Sequence, residues 1–204
     1  MTGSEFLTNL PKGVAACPFL EHGCHKVGNE QEVKLHVRDD RPQCTFHIPK
    51  IHDVISSARK TGKNLVFSQP FETHRFGYKM TVMVAPYGDA EVAREYLSVY
   101  VTIVKSQFDP IQRWPFALPI TFTMWAADPV NNLEKTFTPN PAPENNPFLG
   151  RPEGARNAAF GIQRFCELIE LDKYTIHNDM FLSVHVDLST LKAEPTPRVP
   201  SDEL

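Results

Sequence analysis

Residues 78–85 read YKMTVMVA, and the parity of that run decides the architecture. Tyr78, Met80, Val82 and Val84 fall on one register of it, Lys79, Thr81, Met83 and Ala85 on the other. Successive side chains of a pleated strand point to opposite faces, so a two-residue period of this kind predicts a strand with one face in a core. Working outward, the period returns three times. Leu97, Val99, Val101 and Ile103 alternate with Ser98, Tyr100 and Thr102; Ile120, Phe122 and Met124 with Thr121, Thr123 and Trp125; and Leu182, Val184, Val186 and Leu188 with Ser183, His185 and Asp187. One clear helix interrupts them: Asp53 as N-cap, Val54, Ile55 and Ala58 on one stripe, and Gly62 as the stop predict about two turns. Short strands punctuated by Pro and Gly, with too few helices for crossovers, predict an all-β antiparallel β-sandwich of about eight strands.

Composition fits one such domain with an appendage. The chain has 204 residues, 41% of them hydrophobic, 22% charged, and a formal net charge of -3. No apolar run reaches the roughly 18 residues of a membrane span. The opening MTGSEFLTNLPKG lacks the basic, apolar and small-residue order of a secretory signal, so a cytoplasmic, reducing setting is expected. Nucleic-acid binding needs a basic excess to neutralise phosphates, and the sequence shows neither an excess nor a stripe.

Three of the four cysteines lie within residues 17–44. Cys17, Cys24, His36 and Cys44 follow one another at intervals of six, eleven and seven intervening residues, and three thiolates with one imidazole complete a tetrahedral zinc shell. Residues 32–40 read as a helix able to carry His36. The alternative is free thiols on an unfolded lead-in, and His22, His25 or His47 lie close enough to substitute as ligands. Cys166, among Phe165, Leu168 and Ile169, reads as a small buried hydrophobe.

Residues 45–188 resemble the C-terminal MATH domain of the tumour-necrosis-factor-receptor-associated factors. The motifs that carry the resemblance are FHIPKIHDV, FSQPFETHRFGYKM, YGD at 87–89, YLSVYVTIVKSQFD, RWPF at 113–116, RPEGARNAAFGIQRF at 151–165 and NDMFLSVHVDL. RWPF points to these factors rather than to other MATH proteins. The organisation implied is a lead-in over 1–16, a last TRAF-type zinc finger over 17–44, a MATH domain over 45–190 and a disordered tail over 191–204. The coiled coil that usually separates finger and sandwich has no counterpart here, since no heptads lie between them.

The resemblance implies an intracellular signalling adaptor that binds receptor-tail or adaptor peptides by strand addition at a sheet edge, and that forms homotrimers. In the family an Arg and a Tyr on one strand, with an Asp in the next turn, grip an acidic peptide residue. Those positions hold Met83, Ala85 and Asp89, so the charge-assisted grip is lost and only the Asp is retained. A serine run that grips Gln is replaced by the 138–147 segment TPNPAPENNP, where Glu144, Asn145 and Asn146 are the polar candidates. Tyr100, Phe137 and Phe148 keep the family's aromatic floor, and Gly161 with Ile162 keeps a place for close backbone approach. The expected groove is more apolar than usual. Each of these residues also has a plainer reading, the aromatics as core, Asp89 as turn chemistry and Gly161 as a bulge.

Enzymatic readings fare poorly. No phosphate loop, GxSxG elbow or HExxH is present, and Cys166 with His177 or His185 lacks the electropositive setting of a reactive thiol. The competing non-enzyme reading is a self-associating scaffold, or a protein docked on a membrane surface, with a vestigial groove. Without a coil, a trimer is expected to be weak. The tail from Lys192, ending in SDEL, is expected to be unfolded, and an endoplasmic-reticulum role for SDEL is not expected without a signal peptide.

Overall fold

The computed structural model describes residues 13–16, 27–37, 42–62, 64–89, 92 and 94–189. The chain forms two compact units, one of 1–40 with 187–204 and one of 41–186. The expected lead-in lies largely outside the described residues, and the tail from Lys192 wholly so.

In the smaller unit, β1 (Ala15–Ala16) pairs antiparallel with β2 (Val27–Gly28), and α1 (Glu30–Val37) follows. Asn29 starts this helix by a reciprocal cap: its Oδ1 accepts from Glu32 N at 2.8 Å, while its own N–H donates to Glu32 Oε2 at 2.9 Å. Val33 is buried on the inner side.

The larger unit carries the sandwich: β3 (Cys44–Ile48), α2 (Ile51–Thr61), β4 (Val66–Phe67), β5 (Phe71–Glu72), β6 (Lys79–Ala85), β7 (Tyr96–Val104), β8 (Ile120–Met124), β9 (Leu133–Phe137), α3 (Asn146–Leu149), β10 (Phe160–Glu167) and β11 (Met180–Val186). One sheet runs β10-β7-β6-β4, with β5 also on β6; the other runs β3-β11-β8-β9. All the pairings are antiparallel. Met80, Val82 and Val84 of β6, Val99 and Val101 of β7, Phe122 of β8 and Val184 of β11 are wholly inaccessible between the sheets. The four alternating runs are thus strands with their apolar parity inward, and the sandwich adds five strands that alternation did not give.

Two expectations are corrected. The helix begins at Ile51, not after Asp53, because its first amides find partners across the chain: Ile51 N donates to Asn178 O at 2.9 Å, and Lys50, in a left-handed conformation, donates to Asp179 Oδ1. Asp53 therefore stands inside the first turn, where its charge suits the helix dipole. Ile51, Ile55 and Ala58 form the buried stripe, and Gly62 at φ 69° ends the helix. The second parity of β7 is also less wet than expected: Ser98 and Thr102 are buried, and Thr102 Oγ1 donates to Asn157 O at 2.7 Å.

Candidate functional site

β10 is the outer strand of its sheet and has β7 as its strand partner. Phe67 of β4 lies opposite Met83 of β6, Met83 opposite Tyr100 of β7, and Tyr100 opposite Gly161 of β10. Directly opposed residues share a face and touch, so these four make one row across the outer face of the sheet, ending at its edge. Phe67 is 38% exposed, Met83 half-buried and Tyr100 buried. The Arg156 guanidinium lies 4.8 Å over the Phe67 ring and closes the far end of the row.

A carboxylate stands beside this row. Tyr100 donates its hydroxyl to both oxygens of Asp89, each at 2.8 Å. Burial, and then the bond to Asp89, push the Tyr100 phenol well above its ordinary range, since both disfavour a phenolate. The turn that presents Asp89 is clamped by Asn64, whose Oδ1 accepts from Tyr87 N at 2.8 Å while its Nδ2 donates to Gly88 O. The Arg59 guanidinium is stacked 4.8 Å over the Tyr87 ring.

The edge itself is divided. β10 shifts register between Ile162 and Cys166, and within the shift Lys135 of β9 donates Nζ to Arg164 O at 3.0 Å. That lysine covers part of the strand's outer side, as edge strands are commonly protected. The part from Phe160 to Ile162 precedes the shift. Gly161 is required there by its own sheet: a Cβ would meet Val99 O at 2.4 Å and Tyr100 Cα at 2.7 Å.

The structure brings together Met83, Asp89, Tyr100 and Gly161, with Ile162 half-buried next along β10. Ala85 shares the face of Met83 but is covered: opposite Ser98, with no exposed surface, its side chain cannot meet a peptide. Phe137 on β9 is half-buried, its ring 6.1 Å from Phe160, whose ring in turn lies 6.0 Å from Phe116. Phe148 belongs to α3, which is tied to the approach of β10 by Ala158 N donating to Pro147 O and Asn157 Nδ2 to Phe148 O. Asn145 is engaged within its own loop, donating Nδ2 to Asn140 O at 3.0 Å, while Asn146 is exposed. Residue-by-residue reading missed Phe67 and Arg156; the FSQPF stretch holds the first, but a strand of two residues shows no period.

A model of the TRAF/meprin MATH domain matches residues 63–183. The chain belongs to this family. Human TNF receptor-associated factor 5 is 32% identical over 131 residues, covering 62% of this chain and 23% of that protein. Human TNF receptor-associated factor 1 is 28% identical over 129 residues, 61% of this chain and 30% of that protein. Among solved structures, TRAF5 of Notothenia coriiceps superposes with a TM-score of 0.66 at 27% identity, over 78% of this chain and 79% of that one. The chain thus spans only about a quarter of the length of the factor 5 relatives. The sandwich is a MATH fold, and its edge and row lie within the matched residues.

Outside the MATH match, Cys17 and Cys24 fall in the connection between β1 and β2, beyond the described residues; His36 is on α1, and Cys44 opens β3 opposite Val184. Among the described residues no three metal-ligating side chains converge. Burial raises the pKa of the Cys44 thiol, as it raises that of Cys166, to about 11 for the latter. No helix among the described residues is long and apolar enough to cross a membrane.

Proposed function

We propose that this MATH domain is the peptide-binding module of an intracellular signalling adaptor that takes up extended tails of receptors or other adaptors along β10. The observation that carries this reading is the edge position of β10, joined to the Phe67–Met83–Tyr100–Gly161 row. An added strand would draw affinity from the backbone of Phe160–Gln163 and selectivity from side chains seated on the row. The relatives named above, called TNF receptor-associated factors, support the adaptor role.

Hydrogen exchange on the full chain tests the proposal. A bound tail peptide is expected to slow exchange across residues 160–163 more than on β3 or β9. Tight binding that leaves β10 exchange unchanged would sink the reading.

The same reading includes a weak homotrimer built from sandwich contacts, expected to dissociate on dilution in sedimentation; a tight trimer at nanomolar protein overturns that part. It also includes one structural zinc held by Cys17, Cys24, His36 and Cys44. Support comes from their spacing and from the hairpin followed by a helix that carries His36. The donor set suits zinc, which would hold the cysteines as thiolates despite the raised pKa of Cys44. Metal analysis should return one zinc per chain, lost in Cys24→Ser; a metal-free chain with α1 still folded by circular dichroism removes this element.

A further inference from the structure

We propose that the row beside β10 selects peptides carrying a basic side chain, Lys or Arg, at the position facing Asp89. The inference rests on the strand-addition reading and specifies the ligand of that site.

Three observations carry it. First, the β6 positions where a cationic or hydroxyl grip would sit hold Met83, half-exposed and apolar, and Ala85, wholly buried. Neither side chain can donate to an acid. Second, the charge beside the Tyr100 part of the row is Asp89. It receives one proton from Tyr100, shared between two oxygens, so most of the acceptor capacity of a carboxylate is unused. Among the described residues no Lys or Arg forms an ion pair with it; Arg59 is stacked on Tyr87 instead. Third, the row offers an accessible apolar surface at Met83, half-buried and directly opposite the Tyr100 that holds Asp89. Such a surface accommodates the methylene stem of Lys or Arg while the head reaches the carboxylate through a charge-assisted hydrogen bond. An acidic side chain in the same place would face Asp89 across a partly dry contact, which disfavours it through like-charge repulsion. Arg156 is the competing feature. It lies over Phe67 at the opposite end of the row, where an acidic residue in a different register could reach it.

Short extended peptide pools, fluorescein-labelled, otherwise uncharged and fixed at one position as Lys, Arg, Gln or Glu, are titrated against the full chain by anisotropy. Lys and Arg pools are expected to bind about tenfold tighter than the Glu pool, a margin of one charge-assisted bond. Asp89→Asn, which keeps an acceptor for Tyr100, should reduce the difference to twofold or less, and Met83→Arg should invert it. A Glu preference in the native chain that vanishes in Arg156→Ala overturns the proposal, and so does a Lys preference that survives Asp89→Asn. If peptides protect β10 from exchange without discriminating charge, the inference fails and strand addition stands. If no pool protects β10, both fall.

Discussion

Gly161 and Tyr100 face each other across β10 and β7 so closely that a Cβ on Gly161 would lie 2.7 Å from the Tyr100 Cα. The glycine is thus a condition for the edge strand to pair at all, rather than clearance for a ligand. Gly161→Ala must push β10 off β7, and we expect a loss of about 1–3 kcal/mol in chemical denaturation, with fast exchange confined to residues 160–167. Unchanged stability would mean that the two strands can separate at no cost.

Phe116 is fully buried, edge-on to Tyr78 with ring centroids 4.9 Å apart, and 6.0 Å from Phe160. Truncating it opens a cavity beneath the first residue of β10. Phe116→Ala should cost about 3–5 kcal/mol, a large share of the stability of a domain this size. A calorimetric shift of only a degree or two would show that the ring is not structural.

Stability should decline in alkali. Burial raises Tyr78 from 10.0 to about 12 and Cys166 from 9.0 to about 11. Because the folded state favours the neutral form of each, the stabilisation is complete below about pH 9 and is lost progressively as pH rises from 9 towards 12. Urea midpoints taken from neutral pH upward should fall through this window, and less steeply in Tyr78→Phe. A flat profile above pH 10 contradicts it.

Lys135 donates to Arg164 O and so caps the edge at its register shift. Lys135→Met removes both the donor and a charge at an exposed rim, and should raise concentration-dependent association while leaving the melting temperature within a few degrees. Light scattering identical to that of the native chain would assign the lysine no protective part.

How much of this was legible in the chain differs by strand. β6, β7, β8 and β11 are five to nine residues long with one parity in the core, and their period is plain in the sequence. β4 and β5 have two residues each, too few for a period to exist, so Phe67 could not be placed on a sheet. β10 hides for another reason: its register shift after Ile162 puts Phe165 and Cys166 both inside, so the alternation breaks midway along the strand. The start of α2 was misread because its first amides are met by Asn178 and Asp179, more than 120 residues away, which no local capping pattern can reveal. Ala85 enters the site through the resemblance alone; it does share the face of Met83, and only the packed sheet shows that this end of the face is covered.

The two bonds from Asn64 to Tyr87 and Gly88 have an energetic corollary. If tails bind as proposed, a turn already held in shape loses little conformational freedom on their arrival, so the entropic penalty of association falls mainly on the tail. Asn64→Ala should therefore weaken capture through a less favourable binding entropy, which calorimetric titration of a tail peptide would read. On the strand-addition reading, a side chain behind the turn thus sets part of the cost of capture.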